Sequence, residues 1–352
     1  MPFNETRSVD IAVSDTKTDH RLQELRAWLA AIDGYADAVP RPASSDASFR
    51  RYFRVDGDAG SAIVMDAPPH REDSRPFVQV ASYLGKMQLH APRVLEADLE
   101  RGFLLLTDLG STDYLSTLKR DPALAGTLYA DALQALLTLQ AKGVEFQRQL
   151  PPFDTEVLLR EMELFREWLC ERHLSIRFDA LQEARWRETC EMLARNALRQ
   201  HRAFVHRDYH SRNLMVCDGD NPGILDFQDA LEGPITYDLV SLLKDCYIRW
   251  PTDQVNDWAL GFYEQMSHEA KASATPAEFL QHFELMGVQR QLKASGIFAR
   301  LNHRDGKPGY LPDVPRTLTY IVDIAPRYPA LGFLDRLIRE RCLPLLQIGQ
   351  EI

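Results

Sequence analysis

Residues Phe204 to Ala230 read FVHRDYHSRNLMVCDGDNPGILDFQDA, and three of their polar side chains have the types and spacing for phosphoryl chemistry. Asp208 leaves an apolar strand end, Phe204-Val205, and Asn213 stands immediately before a second apolar run, Leu214-Met215-Val216. A turn through Asp218 to Gly223 returns the chain as Gly223-Ile224-Leu225, which ends on Asp226-Phe227. Such a hairpin brings Asp226 back beside Asn213, while Asp208 projects from the preceding loop. Polyphosphate oxygens call for a hard divalent cation held by oxygen ligands, and a carboxylate with an amide is a suitable pair. A hydroxyl acceptor needs an oxygen base in line with the transferred phosphorus, and Asp208 can accept that proton. If the proton leaves late, in a loose transition state, the carboxylate acts largely by orienting the nucleophile. Asp208 is thus the candidate catalytic base, and Asn213 and Asp226 are candidate Mg²⁺ ligands. Asp and Asn are favoured in turns anyway. The flanking strands and the apolar-then-Asp-Phe ending nevertheless supply the context that the chemistry demands.

Two groups of elements must position these residues. Apolar spacing predicts a helix over residues 21–31, with Leu22, Leu25, Trp28 and Leu29 on one face. Short strands are expected at 49–55 and 62–65 around VDGDAG, then a helix at 77–89, then strands at 93–97 and 103–107. Beyond Asp108 the pattern turns mostly helical, at 124–141, 154–171, 180–200, 237–247, 254–266, 276–299 and 331–343. Strands at 204–206, 214–216 and 223–225 interrupt it. The expected fold is α+β, a small N-terminal sheet lobe joined to a larger helical C-terminal lobe, with a ligand cleft between them. The lobes are expected at 21–107 and 111–352, with a hinge at 108–110 and a disordered leader of about 20 residues.

The chain has 352 residues, with 41 Lys plus Arg against 51 Asp plus Glu, for a formal charge of -10. No local basic patch reverses that field, so general nucleic-acid binding is disfavoured. No apolar run approaches the roughly 20 residues needed to span a bilayer, and the N-terminus has no apolar core of a signal peptide. Five scattered cysteines form no CxxC and read as reduced, buried thiols. A cytoplasmic enzyme with a small-molecule partner, no membrane and no obligate protein partner is the expectation.

HRDYHSRN followed by LDFQDA resembles the aminoglycoside phosphotransferase and choline kinase superfamily, relatives of the protein kinases, over about residues 22–345. The resemblance implies a protein-kinase-like two-lobe fold with ATP between the lobes, Asp208 as base, and Asn213 and Asp226 on Mg²⁺. It implies that the backbone of Thr107, Asp108 and Leu109, at the end of FLLLTDLG, binds adenine. SSDASFRR at 44–51 sits where a phosphate-covering loop belongs, which makes Ser45, Ser48, Phe49, Arg50 and Arg51 candidate nucleotide contacts. In GPITYDL, Asp238 would be a buried carboxylate steadying the catalytic loop. Two features depart from the pattern. Met65 or Asp66 stands where the third strand normally carries a phosphate-binding lysine, and the phosphate loop has no glycine. Lys86, Arg50, Arg51 and Arg54 are candidate substitutes.

The runs SSDASFRRYFRV, IVMDAPP, LDFQDALEGPITYDLVSLLKDCYIRWP and GIFARLNHRDGKPGYLPDVPRTLTYI resemble, within that superfamily, the bacterial anomeric kinases of amino sugars. That likeness implies transfer to the C1 hydroxyl of N-acetylmuramate and N-acetylglucosamine, giving the α-1-phosphate, in cell-wall recycling. A lactyl carboxylate on the acceptor calls for a cation, for which Arg207, His210, Arg300, His303 and Arg304 are candidates. Asp229 is a candidate for a sugar hydroxyl or acetamido N–H, and Phe227, Tyr247, Trp250 and Tyr310 could stack on a ring. The rival readings are another kinase of the superfamily, acting on an aminoglycoside, choline or another sugar, and a kinase-like binding protein. No activation segment follows Asp226, which disfavours a protein kinase.

Overall fold

The Asp19 carboxylate accepts the Leu22 N–H at 3.0 Å and so starts helix α1 (His20–Leu29). Leu25, Trp28 and Leu29 then share one face and pack on Phe53, Val55, Val64, Phe103 and Leu105. These come from a five-stranded sheet of β1 (Arg41–Ser44), β2 (Arg51–Gly57), β3 (Gly60–Asp66), β4 (Val94–Asp98) and β5 (Phe103–Thr107), in the order β1-β2-β3-β5-β4. The β1–β2, β2–β3 and β3–β5 ladders are antiparallel, with Val64 opposite Phe53 on one side and Leu105 on the other. Four consecutive residues of β5 are buried, as a strand with neighbours at both edges and cover on both faces requires. The computed structural model describes residues 19–44, 50–58 and 60–348. The expected leader through residue 18, and Ser45, Ser48 and Phe49 of the expected phosphate loop, lie outside them.

The chain divides into two compact units. One runs to Asp73 and includes Leu95–Asp108, and the other holds Ser74–Val94 with the chain from Leu109 on. Helix α2 (Arg75–Lys86), which sequence position groups with the strands, finds its partners in the second unit. Phe77 packs on Phe227 with ring centroids 4.7 Å apart, and Tyr83 Oη donates to Gln149 at 2.8 Å.

The second unit contains α3 (Tyr114–Arg120), α4 (Ala125–Gly143), α5 (Thr155–Leu164), α6 (Ala180–Arg199), α7 (Tyr237–Leu243), α8 (Thr252–Gln265), α9 (His268–Lys271), α10 (Pro276–Asp305) and α11 (Val314–Ile324). Thr275 and Glu278 form a capping box at the start of α10, and Gly306, at φ 65°, ends it. Its 30 residues span about 45 Å through the helical unit. α10 and α5 approach closely at Gly296, where a Cβ would lie 2.3 Å from the Leu164 carbonyl carbon. After Leu164, α5 continues as a π-helical stretch to His173. All five cysteines are free. Among the described residues, no helix is long and apolar enough to cross a membrane.

Candidate active site

Two short ladders carry the loops of interest. β6 (Arg202–Val205) pairs with β9 (Leu231–Pro234), and β7 (Leu214–Met215) pairs with β8 (Gly223–Ile224). β6, β7 and β8 each stop one residue short of the sequence expectation because the next backbone N–H is taken elsewhere, and β9 was not foreseen. His206 and Arg207 donate their N–H groups to the buried Asp238 carboxylate at 2.6 and 2.9 Å. Val216 donates to the Thr112 carbonyl at 2.8 Å, and Leu225 to the Asn213 carbonyl at 2.9 Å. Helix α7 likewise ends at Leu243 rather than 247. Asp245 beyond it accepts from Tyr247 N at 2.8 Å, Ser211 N at 3.0 Å and Ser211 Oγ at 2.5 Å.

Those contacts shape the loop between β6 and β7. Arg207 and Asp226 adopt positive φ, 84° and 63°, conformations that cost energy for side-chain-bearing residues and persist where surroundings impose them. Asn213 Nδ2 donates to the Asp208 carbonyl at 3.0 Å and to the Asp226 carboxylate at 3.2 Å. Gln228 Nε2 donates to the other Asp226 oxygen at 2.8 Å. The structure thus brings Asp208, Asn213 and Asp226 to one place. A carboxylate beside an amide is a donor pair suited to a hard divalent cation.

Asp208 is partly exposed, on a cavity of about 100 Å³ that it shares with His210, Tyr247, Arg290, Lys293 and Phe298. Burial alone would raise its carboxyl, but Lys293, His210, Arg290 and Arg207 hold it well below the ordinary carboxylate range. His206 is fully buried, which lowers its imidazole to about 4 and keeps it neutral at physiological pH. Burial pushes Asp238 up to about 7, against the two N–H groups it accepts.

Beneath the loop lies a buried ionic cluster. Glu161 of α5, 4% exposed, accepts from Arg207 at 2.5 Å and from Gln289 of α10 at 3.0 Å, and faces Lys293 Nζ at 3.4 Å. Lys293 also donates to Tyr237 Oη at 2.9 Å.

Several expected site residues fall elsewhere. The Arg207 guanidinium is drawn down to Glu161 rather than lining the cavity. The cavity's wall on α10 ends at Phe298, before the other three cations expected there. His303 lies against His173 at 3.2 Å, Arg304 is exposed and bonded to Asp305 at 2.8 and 3.0 Å, and Arg300 Nε is enclosed without a partner among the described residues. The helix carries its cavity-facing cations earlier, as Arg290 and Lys293. Asp229 is exposed on the turn after Asp226. Of the aromatics, Tyr247 lines the cavity and Tyr310 stacks on Phe298 at 5.6 Å, whereas Phe227 and Trp250 pack on other rings.

In the first unit Met65 and Asp66 are both fully buried. Asp66 accepts from Arg51 at 2.5 Å and also bonds Arg21. Arg51 further pairs with Asp19, and Arg50 bonds Glu72 at 3.3 Å. Neither residue at the place expected for a lysine supplies a cation: Met65 is a buried apolar side chain, and Asp66 is an acid that binds two arginines. Asp108 accepts from Arg54 at 2.6 and 2.9 Å and from Ser61 at 2.6 Å. Thr107 ends β5, Leu109 begins the second unit, and the Lys86 ammonium lies 5.8 Å from the Phe146 ring centroid.

The sequence matches the model of the phosphotransferase enzyme family over residues 39–276. The chain is 47% identical to the N-acetylmuramate/N-acetylglucosamine kinase of Pseudomonas aeruginosa over 332 residues, 91% of this chain and 96% of that one. It is 40% identical over 325 residues to the protein of the same name from Neisseria meningitidis, covering 90% and 95%. Among solved structures, a choline/ethanolamine kinase family protein from Mesorhizobium loti superposes with a TM-score of 0.60 at 16% identity, covering 94% of this chain and all of that one. The fold is kinase-like.

Proposed function

The chain belongs to the phosphotransferase enzyme family, and from that premise we propose that it transfers the γ-phosphoryl group of ATP to the anomeric hydroxyl of N-acetylmuramate and N-acetylglucosamine. The observation that carries this reading is the placement of Asp208. Its carboxylate opens on a cavity walled by Tyr247, Phe298 and Arg290, and its own carbonyl is tied through Asn213 to Asp226. A sugar ring finds aromatic walls there, with a carboxylate for its reacting hydroxyl. The relatives named above support the choice of acceptor through near-complete coverage.

The Asp208 carboxylate, held ionised by its cationic neighbours, accepts a hydrogen bond from the acceptor hydroxyl and aims its oxygen at phosphorus. So weak a base takes the proton late, as a loose transition state permits. Asp238 and Glu161 hold the loop from beneath, through the backbone of His206 and Arg207 and the Arg207 guanidinium. Asp226 and Asn213 would hold Mg²⁺, which when bound supplies charge neutralisation for the transferring phosphate. Asp108, its carboxylate committed to Arg54 and Ser61, would serve the nucleotide through its backbone, with Thr107 and Leu109. Asp229 remains the candidate for a sugar hydroxyl or acetamido group.

Release of ADP, followed with Mg·ATP and a panel of N-acetylmuramate, N-acetylglucosamine, kanamycin and choline, tests this reading. Turnover is expected with the two amino sugars. Turnover with kanamycin or choline alone overturns the acceptor and leaves the roles of the three polar residues intact.

A further inference from the structure

Of the cations around Asp208, Arg290 is the deeply buried one that meets no carboxylate among the described residues. Arg207 and Lys293 share Glu161, Lys293 also reaches Tyr237, and Arg212 lies 4.8 Å from the Tyr247 ring centroid and 5.3 Å from that of Tyr310. Arg290 is 4% exposed, yet its guanidinium makes no ion pair among the described residues, and its hydrogen bond is a long one to Cys246 Sγ, 3.6 Å. Burying a guanidinium without a counter-charge costs several kcal/mol. Asp208 and Asp245 act on it only through space, favouring its charged form without either forming an ion pair with it. Asp245 is occupied by Ser211 and Tyr247, and Asp208 must stay open to the acceptor hydroxyl. A planar fork of donors on a cavity wall matches a carboxylate oxygen for oxygen.

We propose that Arg290 is the acceptor-selecting residue of this site, pairing with a carboxylate carried by the sugar, so that an acidic amino sugar is taken in preference to its neutral counterpart. This rests on the amino-sugar reading above. N-acetylmuramate carries such a group, its lactyl carboxylate on the C3 oxygen, two ring carbons from the anomeric carbon, and N-acetylglucosamine lacks it. Arg290 and Asp208 line one cavity, so a single sugar can present its acid to one and its hydroxyl to the other. Tyr247 and Phe298, common to both sugars, carry no such preference.

The test compares kcat/KM for N-acetylmuramate, its lactyl carboxamide and N-acetylglucosamine in the unmodified enzyme and in Arg290→Gln and Arg290→Lys. The unmodified enzyme should use the acid about 10-fold or more better than the carboxamide, through KM. In Arg290→Gln the ratio of N-acetylmuramate to N-acetylglucosamine should fall about 30-fold, and Arg290→Lys should recover part of it. Equal use of acid and carboxamide by the unmodified enzyme overturns the assignment without requiring any variant to fold. A ratio unchanged in Arg290→Gln, with both rates falling together, overturns it too and gives Arg290 to Asp208 or the phosphoryl group. Turnover of neither sugar by the unmodified enzyme is a separate result. It removes the amino-sugar reading and this assignment with it.

Discussion

Asn213 donates through Nδ2 to the Asp226 carboxylate at 3.2 Å, across a hairpin whose ladder pairs Leu214 with Ile224 and Met215 with Gly223. The same amide nitrogen reaches the Asp208 carbonyl, so one side chain couples the loop of the candidate base to the candidate cation ligand. Replacing Asn213 by Ala should raise the Mg²⁺ concentration for half-maximal activity about 10-fold or more and lower kcat. A Mg²⁺ titration of the steady-state rate measures this. An unchanged titration would remove Asn213 from the cation site.

Asp208→Asn keeps the shape and removes the proton acceptor. The variant should melt within a few degrees of the parent and lose about 10²–10⁴-fold in kcat, with a smaller change in KM for the sugar. Near-normal turnover would remove Asp208 as base.

Glu161 is the counter-charge to two buried cations, and Glu161→Gln should destabilise the fold by about 3–5 kcal/mol at neutral pH in urea unfolding. Burial raises its carboxyl, but Lys293 and Arg207 lower it further, to below the ordinary value of 4.5. A depressed carboxylate stabilises the folded state above its unfolded pKa and loses that contribution as pH falls through the folded one. The gap between parent and variant should therefore be full above about pH 4.5 and shrink below it. A gap that does not change with pH would show that the charge is not what matters.

His206 has the opposite chemistry and the same direction of pH dependence. Its imidazole is fully buried, lowered from 6.5 to about 4. Between those values the unfolded chain binds the proton and the folded one does not, so stability falls as the solution is acidified. The shift corresponds to a loss of about 2 kcal/mol between pH 7.5 and 5. Asp238, raised to about 7, contributes in the opposite sense over this range, so the readout is a difference: between the two pH values the parent should lose about 2 kcal/mol relative to His206→Asn in urea unfolding. An equal loss in the variant would place the acid sensitivity elsewhere.

Gly296 sets how closely α10 approaches α5. A Cβ there would meet the Leu164 carbonyl carbon at 2.3 Å, its oxygen at 2.5 Å and Phe165 N at 2.5 Å, all backbone atoms that cannot swing aside. Gly296→Ala should lose about 2–3 kcal/mol, measured by thermal or urea unfolding. A neutral substitution would mean that the two helices are free to separate.

The candidate site loop was legible because its residue types and their context lie within one short stretch, from Phe204 to Asp226. Four of the sheet's five strands were legible too, since apolar residues alternate along β2 and run unbroken along β5, but β1 (Arg41–Ser44) was not foreseen. Element ends were less so. The stops at Val205, Met215, Ile224 and Leu243 are set by partners distant in sequence, such as Asp238 for His206 and Thr112 for Val216. The cavity's cations were missed for a related reason. Arg290 and Lys293 sit in a helix that is buried almost all round, where no polar face marks them out. Arg300, His303 and Arg304 drew notice because they cluster, yet they lie beyond the wall of the cavity. Glu161 carried no local signal at all, because its meaning comes from Arg207, Gln289 and Lys293, brought to it from two other segments.

The central claim is that Asp208 directs an anomeric hydroxyl onto the γ-phosphorus of ATP. ³¹P and ¹H NMR of the product formed from N-acetylmuramate or N-acetylglucosamine with Mg·ATP tests it most directly. A phosphate resonance coupled to H1 of an α-configured sugar is expected, formed by the parent enzyme and nearly absent with Asp208→Asn. Phosphate coupled to any other sugar proton, or the same product at the same rate from Asp208→Asn, would contradict it.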